Sequence, residues 1–270
     1  MKHALLFFLA AAALIAQRPP ESPRIEDWKS QTILVFTPHP DDDTFGCGGT
    51  LALLAKNGNR ILIAIYTNDD KGSYDLDMNS QRLAAIRKAE EEAACSALGV
   101  PKENIIWMGH HDGMLEYVNS LALVEQTTAI IRKYQPFAIF SIDPGKEDVR
   151  WHKTDHRMAA MNTVDAIRAA EWHLYFPNQR LSQGLLPWKP QWVVLYYTKP
   201  SEANVWVDID AVADLKVKAA AAHVSQFEPS IHRYRPDWDP ADLEKFTAGF
   251  KARIPKKNGR YVEGFRAARY

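Results

Sequence analysis

Cysteine is nearly absent: Cys47 and Cys95 are the only two in 270 residues. Two thiols do not make a disulfide scaffold, so an apolar core has to hold the fold, and both are expected as buried thiols. Net charge is missing as well, with 33 Lys and Arg against 33 Asp and Glu. A neutral chain gives no electrostatic ground for a nucleic-acid partner. The nearest basic tract, residues 251–260, reads as a solvated loop. Internal repeats and low-complexity tracts are lacking. The unbroken apolar run at residues 4–16 is 13 residues long, short of the ~20 needed to span a bilayer. The glycines at 46, 48 and 49 do not form G-x-G-x-x-G, which speaks against a dinucleotide site.

What is present is ordinary globular composition, 46% hydrophobic and 24% charged, enough for a sizeable core. Lys2 and the apolar run after it fit a secretory signal cut after Ala16. A Pro-rich polar stretch opens the linker expected over 17–30, and a single domain is expected over 31–270. Export of the mature chain, with no membrane span, is the expectation that follows.

From residue 32 onward the pattern alternates. Short apolar, β-rich runs predict strands at 32–37, 60–67, 104–108, 137–142, 191–198 and 204–209. Helical spacing predicts helices at 46–57, 80–98, 120–134, 154–170 and 211–223, with the remainder irregular or in short helix. Repeated βα units imply an α/β, Rossmann-like fold, a mostly parallel sheet with helices on both faces. In such sheets sites form beyond the carboxyl ends of the strands.

Two polar clusters fall on that edge. The first is His39-Pro40-Asp41-Asp42-Asp43, just after the first strand. His39 and Asp42 can reach one metal ion across the stiff turn; the plainer reading is an acidic surface turn. The second is His152-Lys153-Thr154-Asp155-His156, at a predicted helix start after the fourth strand. His156 can supply a third ligand; the plainer reading is a capped helix start with two surface histidines. His-Asp-His with one open position is a catalytic zinc arrangement. Zinc lowers the pKa of bound water to roughly 7. Asp41 is then the candidate general base, His152 the oxyanion stabiliser or acid, and Asp155 the carboxylate that orients His152. Amide or ester hydrolysis is the natural reaction class. The donor set also admits Fe²⁺ or Co²⁺.

On these motifs the sequence resembles the LmbE/PIG-L family of zinc-dependent N-acetylglucosaminyl deacetylases. Pro38-His39-Pro40-Asp41-Asp42-Asp43 is similar to the family's opening motif, with Asp43 in place of Glu. Residues 66–72, 87–90, 109–115 and 218–226 are similar to later family segments, in family order. The resemblance implies an LmbE-like fold, zinc held by His39, Asp42 and His156, and Asp41 as general base. It implies substrate contacts from Arg87 and Asp112, which otherwise read as a surface partner of Glu90 and a turn cap. The segment 152–156 has one residue more than the family's His-Pro-Asp-His. His152, Lys153, His110 and His111 are therefore the alternatives for the oxyanion role. The expected substrate is an N-acetylated amino sugar, free or in a glycan, or a similar small amide. The alternatives are a catalytically weak sugar- or metal-binding module on the same fold and a nucleotide-binding protein with a structural cation. Trp107, Trp151 and Trp172 are candidates for stacking on a sugar face.

Overall fold

The structure, a computed structural model, describes residues 22–145 and 154–270. The expected signal segment, residues 1–16, lies outside them, as do Trp151, His152 and Lys153. Among the described residues no helix is long and apolar enough to cross a membrane. The chain enters its core before residue 31: Ile25 is fully buried, and Trp28 packs edge-on against Phe137 and Phe140.

Five strands make the parallel part of the sheet: β1 (Thr32–Thr37), β2 (Arg60–Thr67), β3 (Ile105–His110), β4 (Ala138–Ile142) and β5 (Trp192–Tyr196). The order across the sheet is β3-β2-β1-β4-β5. β1 runs Thr-Ile-Leu-Val-Phe-Thr because both of its faces are covered. Ile33 and Val35 enter one apolar cluster, and Leu34 and Phe36 enter the other. The helices follow the same division. Leu51 of α1 (Asp42–Lys56), Ala94 of α2 (Ser80–Ala97) and Val217 of α6 (Ala213–Ala222) belong to the first cluster. Leu123 of α3 (Ser120–Tyr134) and Ala159 of α4 (Thr154–Glu171) belong to the second. A short α5 (Pro177–Leu181) follows α4.

Two expectations are corrected. Helix α1 begins at Asp42, not residue 46, so Asp42 and Asp43 occupy its first turn, where carboxylates are favoured by the helix dipole. The tail is not irregular. It contains α7 (Pro240–Arg253) and a hairpin of β7 (Lys256–Lys257) and β8 (Arg260–Arg269). The turn is Asn258-Gly259, with φ of 51° and 79°, the positive pair a tight hairpin turn requires. Thus residues 251–260 end a helix and make a hairpin rather than a solvated loop. β8 runs antiparallel between β5 and β6 (Val205–Asp208) and extends the sheet.

The strand order reverses direction at β1: β2 and β3 lie to one side of it, β4 and β5 to the other. A crevice opens at the carboxyl ends of two strands that diverge in this way. The segment after β1 carries His39 to Asp42, and the helix after β4 carries Asp155 and His156. The topology therefore brings together residues more than a hundred positions apart.

Candidate metal centre and active-site cavity

At that crevice His39 Nδ1 lies 3.0 Å from Asp42 Oδ2, and His156 Nε2 lies 3.1 Å from the same oxygen. His156 Nε2 is buried and, among the described residues, has no hydrogen-bond partner of good geometry. These separations approach the roughly 3.3 Å edge of a tetrahedron around zinc with bonds near 2.0–2.1 Å. The three residues fit a cation as one group of donors. The His156 ring also stacks on Tyr197, at 6.1 Å and 4°.

The surroundings carry the same message in charge. His39 Nε2 faces two more carboxylates, Asp112 Oδ1 at 3.1 Å and Asp155 Oδ2 at 3.2 Å. Burial disfavours a protonated His39, but bonds to Asp112, Asp155 and Asp42 outweigh it and raise the imidazole well above its ordinary value. Burial likewise opposes ionisation of Asp42, and His156 and His39 overcome it, holding the carboxyl far below its usual range. Asp41 is pushed well up by burial and by the neighbouring Asp42 and Asp69. Burial pushes Asp69 up to about 6, against the pull of Arg87. Carboxylates outnumber the cationic groups here, and a divalent ion is the simplest way to balance them.

A cavity of about 450 Å³ opens over this cluster. Its wall includes His39, Asp41, Asp42, Asp69, Gly72, Arg87, Asp112, Gly113, Thr154, Asp155, Gln226 and Ile231. Asp41 reaches it from a strained backbone, φ 142°, at the N-cap of α1. Positive φ at a non-glycine residue costs of order 1–3 kcal/mol and is retained where geometry matters. Asp69, with φ 53°, and Tyr197, with φ 58°, share the property.

The expected substrate residues sit in this wall. Arg87 is buried, not a surface partner of Glu90. Its guanidinium donates to Asp69 O at 2.8 Å and Gly72 O at 2.6 Å, and pairs with the Asp69 carboxylate at 2.9 Å. Glu90 instead accepts from Ser225 N and Oγ. Asp112 is the partner of His39 described above. Asp155 was expected behind His152, which lies outside the described residues. Its oxygens accept from Gly113 N at 2.6 Å and Leu115 N at 3.0 Å, and face His39. So it fixes the loop after β3 and a metal-ligand histidine together.

Of the alternatives for the oxyanion role, His110 bonds Gln126 at 2.8 Å and His111 bonds Asp70 at 2.8 Å. Neither lines the cavity. Trp107 packs against the core, and Trp172, half exposed at the end of α4, is likewise absent from the cavity wall. Cys47 and Cys95 are buried and free.

Sequence reasoning missed Asp69 and Tyr197. Asp69, not the neighbouring Asp70, lines the cavity and holds Arg87. Tyr197 follows β5 and donates its hydroxyl to Asp42 Oδ1 at 3.2 Å. The expected strand over 191–198 took in Tyr197; the observed strand ends at Tyr196 and leaves Tyr197 at its carboxyl end, where sites form.

Against known proteins, residues 34–167 match the family model PIG-L, described as GlcNAc-PI de-N-acetylase. The chain is 31% identical over 236 residues to the diacetylchitobiose deacetylase of Thermococcus kodakarensis, covering 87% of this chain and 82% of that protein. It is 28% identical over 207 residues to a probable N-acetyl-α-D-glucosaminyl L-malate deacetylase 2 of Bacillus cereus, covering 74% and 85%. The solved structure of N,N′-diacetylchitobiose deacetylase from Pyrococcus horikoshii, complexed with its inhibitor MPG, is similar with a TM-score of 0.72. That match has 31% identity and covers 88% of this chain and 84% of the other.

Proposed function

The chain belongs to the PIG-L (LmbE-like) family of deacetylases, and from that premise we propose that it hydrolyses the acetamide of an N-acetylated amino sugar. The observation that carries this reading is the His39–Asp42–His156 group, two members buried and His156 half-buried, under a polar cavity with an excess of carboxylates. The relatives act on diacetylchitobiose and on N-acetylglucosaminyl malate, as their names state, and the substrate class proposed here is their common part.

His39, Asp42 and His156 would hold the cation. Zinc suits two imidazoles and a carboxylate, and Fe²⁺ or Co²⁺ can use the same donors. When bound, such an ion lowers the pKa of water and polarises an acyl oxygen. The remaining chemistry belongs to the chain. Asp41 takes the proton of the attacking water as oxygen adds to the acyl carbon. The C–N bond then breaks, acetate leaves, and the amine takes up a proton. His152 is proposed to stabilise the developing oxyanion or to protonate the amine. Asp155 and Asp112 accept from His39 and fix its ring, and Tyr197 fixes the Asp42 carboxylate. Arg87 and Asp112 are proposed to receive sugar hydroxyls. We propose that the N-terminal apolar run is an export signal and that the mature enzyme is periplasmic or secreted; N-terminal sequencing of the mature chain checks this.

The test is acetate release from a panel of N-acetylated amino sugars, with metal content measured on the same samples. Asp41→Asn is expected to lower turnover by roughly 10²–10⁴-fold with the metal retained. Undiminished turnover would remove Asp41 from its role. A metal-loaded wild type that turns over no panel member would favour a binding module instead.

A further inference from the structure

Helix α6 packs against both α1 and α2, and the three helices gather a second group of polar side chains. Asp43 stands in the first turn of α1, and His223 follows the last turn of α6. Glu91 and Cys95 stand one turn apart on the same side of α2. All four are fully buried, and none of them lines the cavity. Ligand atoms of Asp43, Glu91 and Cys95 lie within 4.8 Å of one another. Cys95 Sγ donates to Glu91 Oε1 at 3.1 Å, and His223 Nε2 lies 3.8 Å from Glu91 Oε2.

Among the described residues, both Asp43 oxygens, Glu91 Oε2 and both His223 nitrogens lack a hydrogen-bond partner of good geometry. No described lysine or arginine pairs with Asp43 or Glu91. Buried polar atoms are nearly always paired, so a cluster of orphans in one place calls for a ligand. A cation answers the two carboxylates and gives the imidazole a partner in a single step. The donor types select the ion. Sulfur and imidazole favour zinc and its transition-metal neighbours over magnesium or calcium, and four protein donors make a closed site. Zinc bonds of 2.0–2.3 Å set donors about 3.3–3.8 Å apart, so the widest pair closes by about 1 Å, a matter of side-chain rotation. The Cys95 thiol gives its proton to solvent as the metal–sulfur bond forms.

We propose that Asp43, Glu91, Cys95 and His223 form a second, inner site for a divalent transition-metal ion, separate from the His39–Asp42–His156 group. The donors under the cavity are open to it and fill first. The inner donors, shut in among the helices, take a second ion when metal is in excess. This holds whether or not the chain is a deacetylase.

Co²⁺ is the probe, because a cobalt–thiolate bond adds a charge-transfer absorption in the near ultraviolet that histidine and carboxylate ligands do not give. Metal-free protein is titrated with Co²⁺ both folded and during refolding from urea, so that a closed site is not missed. Two equivalents are expected to bind, with the charge-transfer band rising on the second. Cys95→Ser is expected to abolish the band and keep the first equivalent, and Cys47→Ser to keep both. Glu91→Gln is expected to weaken the second equivalent by roughly 10–100-fold. Retention of the first equivalent reports that each variant folds. In Asp42→Asn, which lacks the cavity ion, the band is expected to rise with the first equivalent; its loss there would assign it to the cavity and overturn the inner site. No band at excess Co²⁺, or a band that survives Cys95→Ser, would equally overturn it.

Discussion

His223 sits wholly out of water; among the described residues neither ring nitrogen has a hydrogen-bond partner, and Glu91 Oε2 lies 3.8 Å from Nε2. Burial pushes its imidazole down to about 3, with Arg87 adding to the effect. An unfolded chain takes up this proton near pH 6.5; the folded chain refuses it until about 3. The stability that a neutral His223 contributes is therefore complete above pH 6.5 and is lost as the pH falls, at about 1.4 kcal/mol per unit. Urea unfolding of wild type and His223→Gln is expected to show a difference that shrinks between pH 7 and 5. A difference independent of pH would contradict a neutral buried imidazole. Residues of the site itself were unequally legible in the sequence. His39, Asp42 and His156 stood in two polar clusters, each just past an apolar strand, where an α/β sheet concentrates chemistry. Asp69 and Tyr197 were harder to read. Asp69 stands in the polar run Asn68-Asp69-Asp70-Lys71 after β2, where nothing in the sequence separates it from its neighbour Asp70, and its backbone takes a left-handed turn; Tyr197 fell inside a strand expected to run to residue 198.

Helix α1 shows what close packing asks of an element. A Cβ on Gly49 would stand 2.5 Å from Ile209 Cδ1, with Glu263 Oε1 at 3.1 Å. One on Gly48 would meet Leu98 at 3.5 Å, an ordinary contact. Gly49→Ala is expected to cost about 1–3 kcal/mol through overpacking. Gly48→Ala is expected to be neutral or to stabilise by up to about 1 kcal/mol through helix propensity. Chemical denaturation of the two neighbours gives the comparison, and an equal loss at both would contradict it. The strands of the parallel sheet were legible because burial on both faces writes them as unbroken apolar runs. The start of α1 was not, because its first turn is spent on two carboxylates, of which Asp42 lines the cavity. β8 was not either. Its buried Val262, Phe265 and Ala267 are interleaved with charged and small residues, and only the Asn258-Gly259 turn announced it.

At the scale of the whole molecule, Glu263 of β8 ties the late part of the chain to the early part. It accepts from Gly49 N and Thr50 N of α1 and pairs with Lys216 of α6, all of it buried. Glu263→Ala strands a buried ammonium and two buried N–H groups and is expected to cost about 3–5 kcal/mol. Arg260→Ala, at the start of the same strand β8, removes an exposed pair with Asp208 of β6 and is expected to leave the unfolding midpoint nearly unchanged. Comparable losses in the two variants would mean that the pair does not tie the layers together. The same topology that extends the sheet through β8 opens the crevice between β1 and β4, where all proposed chemistry lies. The most direct measurement is metal content and acetate release on purified wild type and Asp42→Asn, side by side. One divalent ion per chain with acetate release from an N-acetylated amino sugar, both lost in Asp42→Asn, is the predicted result. A wild type without metal, or a variant that keeps both metal and turnover, would contradict the site at its centre.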